Sequence, residues 1–446
     1  MARENNFYKT EFNSMLKLNN KKIAILGLGL ENLALIKYLL KHKVKCEITV
    51  CDKRDDIKVK MKNAGLRIES TMTGKQWQLG KSYNKNLDKF DILFRAPGWP
   101  LDCPGIKIAK KKGVIISSPM KLFFDLCPSK NIIGVTGTKG KGTTASLIYE
   151  ILKLAGKKVW LGGNIGIAPF AFMDKIKKND WVVLELSSFQ LEDMNASPHI
   201  AVVTNLYPEH LKPADPNNQN FHKTLKDYYA VKLNIARWQE RGDYFIANYN
   251  FLTKGKKVYF KKSELPSKLI GEHNKENVAA AEEVAKIVGV KPETIKKSVA
   301  NFKGLEHRLE FVKEIRGVKY YDDSFATNPE STIIALKSFV APIVLLLGGA
   351  DKGANFNQLA KEVKKRCKFI VLLAGQATPR IKKELLKIGY KNNKMALADN
   401  IKKAVALARA EAKSGEVVLL STACASFGMF KNYKERGDLF KSLVKK

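Results

Sequence analysis

The stretch Gly134–Ser146, GVTGTKGKGTTAS, sets four glycines and two lysines within nine residues. Glycine lets backbone N–H groups crowd around a polyphosphate, and a helix starting directly after such a loop adds its positive end. Lys141 supplies a point charge between terminal phosphates. Gly137, Thr138, Lys139, Gly140, Lys141, Gly142, Thr143 and Thr144 form the candidate nucleotide cradle. In the usual phosphate loop a Ser or Thr hydroxyl directly after the lysine meets Mg²⁺. Gly142 stands there instead, so the oxygen must come from Thr143 or, as the fallback, Thr144. Magnesium takes oxygen ligands in near-octahedral geometry. Glu185 interrupts the apolar run of WVVLELSS at a strand end and is the expected acidic partner; the competing reading is a buried structural glutamate. His210, beyond the next apolar run, is either a second metal ligand or a structural histidine.

Such residues need strands that end together. NIIGVTG reads as the strand before the loop and TTASLIYEILKLAG as the helix after it. KKVWLGGNIG, carrying Asn164, and IAVVTNLYPEHL read as further strands ending in turns. TLKDYYAVKLNIARWQ is helical and carries Lys232, by itself an ordinary helix-surface lysine; Asn277 sits near the start of another helix, where a cap is the simple reading. Upstream, KKIAILGLGLENLALIKYLLKHKVKCEITVCDKR is a βαβ unit with Gly27-Leu28-Gly29 and Asp52 at the second strand's end. Its third glycine position holds Asn32, which weakens it as a dinucleotide fingerprint. A later strand, FDILFRAPG, ends at Pro97-Gly98. Downstream, APIVLLLGGADKG, CKFIVLLAG and GEVVLLSTACASFG are again apolar strands ending in small-residue loops. Open α/β sheets bind ligands at such strand ends. We expect three α/β domains in series, 1–119, 120–303 and 304–446, with a polar extension over 1–20 and hinges near 119 and 304.

The 446 residues suit several domains and include 45% hydrophobic and 27% charged residues, an ordinary soluble balance. No run approaches the ~18 apolar residues of a membrane helix, and the N-terminus lacks a signal peptide's apolar core. Six cysteines without C-x-x-C pairing fit free thiols in a reducing cytoplasm. The net charge of +36 comes mostly from lysines scattered along the whole chain. A phosphate-reading nucleic-acid surface would favour arginine, so we read the charge as solvated faces that steer small polyanions.

Taken together, GVTGTKGKGTT, GGNIG, LELSSFQLE, GEHNKENVAAA, LEHRLE, DDSFATNPEST, GGADKG and STACASFGMFKNY resemble the Mur ligases, in that family's order and across roughly residues 21–440. LELSSFQLE and ACASFGMFKNYKERG are most similar to the branch that adds D-glutamate. The resemblance implies a Rossmann-like N-terminal domain for the UDP of a substrate, a central P-loop ATPase-type domain and a Rossmann-like C-terminal domain. It implies ATP-dependent joining of D-glutamate to UDP-N-acetylmuramoyl-L-alanine through an acyl phosphate, with two Mg²⁺ ions, in cytoplasmic peptidoglycan precursor synthesis. Lys141 would hold phosphates; Thr143, Glu185, His210 and a carbamylated Lys232 would hold metal. Carbamylation needs a neutral amine, hence a lowered lysine pKa. Asn277, Arg308 and Asp323 would serve the adenine, phosphates and ribose of ATP; Lys53, Arg54, Ala96, Pro97 and Gly98 the uridine diphosphate; and Asn164, Ser187 and Ser188 the reacting end of that substrate. Thr327, Lys352, Ser426 and Tyr433 would meet D-glutamate. The expected species is a monomer without a nucleic-acid or membrane partner.

Four departures stand out. G-K-G-[ST] is similar to the loop of folylpolyglutamate synthetases, an alternative glutamate ligase that begins close to its loop and so lacks the N-terminal βαβ domain. Phe325 stands where a lysine is common, and Gly428 where an acid is usual. The connection from Lys232 to His307 looks too short for peripheral strands. These leave a shifted amino-acid preference open. A nucleic-acid-binding NTPase lacks any basic-aromatic pattern here, and a nicotinamide-dependent oxidoreductase would have no use for the second nucleotide loop.

Overall fold

A computed structural model describes residues 18–59, 77–211 and 220–446. The polar extension expected over 1–20 lies outside the described residues up to position 17. The first sheet takes β1 (Lys22–Leu26), α1 (Leu30–Lys41), β2 (Glu47–Asp52), β3 (Trp77–Leu79), β4 (Ile92–Arg95), α2 (Pro104–Lys111) and β5 (Ile115–Ser117). Its order is β3-β2-β1-β4-β5, all parallel. The chain steps outward from β1 to one side, then returns to the other. That reversal opens a crevice at the carboxyl ends of β1 and β4.

The second sheet follows α3 (Pro119–Leu126) and takes β6 (Ile132–Thr136), α4 (Lys141–Leu154), β7 (Val159–Gly163), β8 (Trp181–Glu185), α5 (Ser188–Leu191), β9 (Ile200–Val203), α6 (Leu225–Arg237), β10 (Tyr244–Ala247) and β11 (Lys256–Val258). The helices α7 (Glu272–Ile287) and α8 (Pro292–Asn301) come next. The order β11-β10-β9-β6-β8-β7 is parallel throughout. The central β6 is buried at every position, as parallel strands covered on both faces must be. Contrary to the sequence expectation, peripheral strands are present: β10 and β11 both fall between Lys232 and His307.

The third sheet takes β12 (Glu310–Ile315), β13 (Val318–Asp322), α9 (Pro329–Lys337), β14 (Ile343–Leu347), α10 (Asn357–Arg366), β15 (Cys367–Leu373), α11 (Thr378–Lys387), β16 (Met395–Ala398), α12 (Ile401–Glu411), β17 (Val417–Leu420) and α13 (Tyr433–Lys445). In the order β12-β13-β17-β14-β15-β16 only the β12–β13 pair is antiparallel. Along β14, Ile343, Leu345 and Leu347 feed one core layer while Val344 and Leu346 feed the other. The period-2 alternation of a strand thus serves both faces.

The three sheets fall into two compact units. One holds the first two sheets with 276–298; the other holds 264–275 and 299–446. The hinge expected near 119 is instead packed. A single core joins Ile23, Ile25, Leu35 and Phe94 with Phe123, Phe170, Leu184 and Ala201. Burying each large apolar side chain contributes roughly 1.5–3 kcal/mol, so this junction is held by far more than its backbone. Among the described residues, no helix is long and apolar enough to cross a membrane.

Candidate active site

Between β6 and α4 the chain turns through Gly137 at φ +139° and Gly140 at φ +84°. A Cβ on Gly137 would lie 2.0 Å from Thr204 Oγ1, and one on Gly140 2.0 Å from Asn277 Oδ1. The loop is fixed from the β9 side. Asn205 accepts from Thr138 N through its carbonyl and from Lys139 N through Oδ1, each at 2.8 Å. Thr204 Oγ1 donates to Lys139 O at 2.6 Å. Lys141 starts α4 and its Nζ donates to Gly137 O (3.0 Å) and Thr138 O (2.9 Å). Lys139 pairs with Glu209 at 2.6 Å. Burial alone would raise Glu209, but Lys139 outweighs it and holds the carboxyl below its ordinary value. Gly142 is buried and Thr143 half-buried, whereas Thr144 is shut off at 0% exposure with no partner for Oγ1.

Lys232 projects from α6 onto this loop. It is 1% exposed, donates to Gly137 O at 2.7 Å and lies 4.8 Å above the Tyr228 ring. Burial, reinforced by Lys141, drives its amine well below the usual lysine range, against the pull of Glu209 and Glu185. Its sequence reading as a helix-surface lysine fails because tertiary packing covers it. Glu185 ends β8, buried, with Oε1 accepting from Asn164 Nδ2 at 2.9 Å. His210, at φ +57°, rests against Phe189 with ring centroids 5.1 Å apart. Burial lowers its pKa, and Glu209 opposes this. Ser187 caps α5 and Ser188 Oγ meets His222 Nε2 at 3.0 Å. Asn277 lies against Gly140 in the second turn of α7, so it is not a helix cap. One carboxylate and one hydroxyl beside a phosphate cradle fit Mg²⁺, which keeps waters and takes few protein ligands. Among the described residues, the only group of three metal-type side chains is His307, Glu310 and Asp322. There Glu310 already meets His307 N and Lys441.

In the same unit, a cavity of about 670 Å³ opens at the carboxyl ends of β1, β2 and β4. The residues expected there, Lys53, Arg54, Ala96, Pro97 and Gly98, all line it, together with Tyr83, Trp99 and Cys103. Asp52, the position that would hold a dinucleotide ribose, is engaged otherwise. Its oxygens accept from Leu28 N (2.8 Å), Arg54 Nε (2.9 Å) and an Arg54 terminal nitrogen (2.8 Å). Burial would raise Asp52, yet the Arg54 bonds hold it below its usual value. Asn32 is fully buried and its amide donates to Gly27 O at 2.7 Å, pinning the turn from beneath.

In the other unit, β13 and the loops after β14 and β17 gather the remaining candidates. The Ala350–Ala425 bridge sets the Lys352 and Ser426 loops side by side. Lys352 is exposed, with its amine 5.8 Å from the Phe427 ring centroid; Ser426 is buried and Thr327 half-buried. The Arg308 guanidinium lies 3.9 Å from the Phe325 ring centroid, and Phe325 meets Tyr433 edge-on at 4.8 Å. Phe325 thus fills the place of a common lysine with a shelf under an arginine. Asp323 faces inward, accepting from Ser421 Oγ (2.7 Å) and Leu309 N (3.2 Å). Burial pushes it up to about 7. Sequence reasoning missed Arg436, fully buried and donating to Ser324 and Cys424 O. It also missed Arg95, although a charge inside the apolar run FDILFRAPG is the same signal that marked Glu185.

Three family models match the chain: Mur ligase MurD-like, N-terminal domain (21–118), Mur ligase middle domain (135–254) and Mur ligase, glutamate ligase domain (307–424). A UDP-N-acetylmuramoylalanine–D-glutamate ligase of Acetivibrio thermocellus is 39% identical, the match covering 96% of this chain and 97% of that one. Its Clostridium tetani counterpart is 37% identical over 98% and 99%. Among solved structures, the UDP-N-acetylmuramate-alanine ligase MurC of Thermotoga maritima superposes with a TM-score of 0.56 at 18% identity, covering 96% of this chain and 99% of that one. A bifunctional folylpolyglutamate synthase/dihydrofolate synthase from Yersinia pestis gives 0.52 at 14% identity, covering 73% of this chain and 92% of that one. At these identities the structural matches speak for the fold alone.

Proposed function

The chain belongs to the Mur ligase family, and we propose that within it this protein uses ATP to join D-glutamate to UDP-N-acetylmuramoyl-L-alanine. The observation that carries the reading is the phosphate loop bonded by buried Lys232, in one compact unit with the cavity behind Gly27–Gly29. The cavity takes the uridine diphosphate, with Arg54 as a cation at its mouth. The loop amides and Lys141 take the ATP phosphates. The substrate's alanine carboxylate attacks the γ-phosphate beside Ser187 and Ser188, expelling ADP. The D-glutamate amine then attacks the acyl phosphate, phosphate leaves and the amine gives up a proton. Converging anions demand the positive charge of Lys139 and Lys141.

Thr143, Glu185, His210 and Lys232 as its carbamate would hold Mg²⁺, which when bound draws negative charge from the transferring phosphoryl group. Half-buried Thr143 suits this better than sealed Thr144. The low amine pKa of Lys232 supports carbamate formation, in which the free amine adds CO₂ and loses a proton. Thr327, Lys352, Ser426 and Tyr433 serve the two carboxylates of D-glutamate, and Arg308 the phosphates. Three domains, with divisions near 119 and 303, and action as a monomer in the cytoplasm complete the reading. The test is phosphate release with ATP, Mg²⁺ and UDP-N-acetylmuramoyl-L-alanine, offering D-glutamate, L-glutamate and L-lysine separately. Release with D-glutamate only is expected. Release with none of them sinks the reading, and release with a reduced folate plus L-glutamate instead favours the folylpolyglutamate alternative.

A further inference from the structure

We propose that Arg95 and Glu31 are positioning residues that lock both turns of the cavity onto α5, fixing the distance between the two ends of the bound substrate. The inference rests on the reading of the cavity as the uridine diphosphate site. Arg95 is the last residue of β4 and is 1% exposed. One terminal nitrogen donates to Trp99 O (2.9 Å) and Pro97 O (3.3 Å), both on the cavity turn. The other reaches Phe189 O (2.8 Å) on α5 and Asp193 Oδ1 (3.4 Å) just beyond it. Glu192 closes the pair at 3.0 Å. A guanidinium offers these donors in one rigid plane, which an ammonium cannot.

The second turn is tied in parallel. Glu31 follows Gly27-Leu28-Gly29 and its carboxyl takes a bond from the Gln190 amide. Gln190 Oε1 in turn accepts from Ser187 N at 2.7 Å, capping α5. Asn220 adds a brace, donating to Pro97 O (2.8 Å) and Glu192 Oε2 (3.2 Å). Both ties therefore end on the short helix that follows Glu185 and bears Ser187 and Ser188. Arg95 Nε, Glu31 Oε2 and Asp193 Oδ2 are buried without partners. Buried ionic networks with such gaps are poor sources of stability, and apolar residues of equal volume often do as well. Geometry is the function left for this one.

UDP touches only the cavity, whereas UDP-N-acetylmuramoyl-L-alanine spans cavity and α5. Calorimetric titration of both ligands into the wild type, Arg95→Lys, Arg95→Met and Glu31→Met reads the difference. In Arg95→Met the full substrate is expected to weaken about tenfold or more while UDP changes less than about twofold, because the advantage of linked sites is lost when their spacing is not held. Arg95→Lys should recover part of the loss. Equal weakening of both ligands, or none of either, overturns the proposal. If Arg95→Met does not fold, Glu31→Met, which removes the carboxyl group that binds Gln190, decides by the same ratio. A wild type that binds neither ligand overturns the cavity reading and the proposal with it; one that binds both, with unselective variants, overturns the proposal alone.

Discussion

Lys232 meets almost no water and faces Lys141, and both favour a neutral amine over the opposing pull of the Gly137 carbonyl and the Tyr228 ring. Because its folded pKa is lowered, the unfolded chain binds a proton below pH 10.5 that the fold refuses, and stability rises with pH beneath that value. Lys232→Met should therefore raise the melting temperature at pH 7 in CO₂-free buffer while lowering turnover about 100-fold or more, as loss of a metal-site residue does. Full activity in that variant refutes the carbamate role. His222 and Glu31 oppose each other. Burial, then His210 and Lys232, hold His222 near 4, so stability drops as pH falls from 6.5 toward 4. Burial lifts Glu31 to about 7 against Gln190 and Arg95, with Asp193 adding, so stability drops as pH rises from 4.5 to 7. The slopes offset between 4.5 and 6.5. Asp323, also lifted to about 7, declines alongside Glu31 while Lys232 rises against both, so Glu31 is read by difference: in Glu31→Gln the melting temperature should climb more, or decline less, between pH 4.5 and 7 than in the wild type. A pH profile in Glu31→Gln parallel to the wild type removes Glu31 as a titrating group.

At the scale of elements, strand–loop–helix order was legible wherever apolar runs ended in glycine. The loop from Gly137 to Gly142, the strand ending at Glu185 and the turn at Pro97-Gly98 all follow from local pattern. What was not legible depends on distant partners. Asn32 reads as a defect in a glycine fingerprint, yet it pins the turn by bonds to Leu26, Gly27 and Phe94. Arg95 lies far from Asp193 in sequence, and nothing local says that its charge is met by another sheet's helix. The loop's own geometry yields a prediction. Gly140→Ala combines a left-handed φ with a clash against Asn277, so the KM for ATP should rise at least about tenfold while UDP binding holds. An unchanged KM shows that the loop relaxes freely.

For the whole molecule, 79 basic residues stand against 43 acidic ones, around the two sites proposed for polyphosphates. Such an excess raises the local concentration of anions and is screened beyond a Debye length of ~10 Å at 0.1 M salt. We expect kcat/KM for ATP and for the UDP substrate to fall steadily between about 20 and 300 mM salt, with a smaller change for D-glutamate. Equal, flat responses would return the charge to mere solvation. Domain count was readable from three successive sets of strands, but grouping was not. The core shared by Phe94, Phe123 and Leu184 fuses the first two sheets, and 264–275 joins the last through contacts such as Gly304 on Leu269.

Cys103 is half-buried in the lining of the cavity proposed for uridine diphosphate, its Sγ 3.3 Å from Trp99 Nε1. Four of the other five thiols are buried, and burial raises Cys46 to about 11 and Cys51 and Cys424 to about 12. Thiolate is the reactive form, so a small electrophile should label Cys103 first and saturating UDP should slow it. The protein thereby carries its own footprinting probe, and a place to tether a covalent fragment inside the cavity behind Gly27–Gly29.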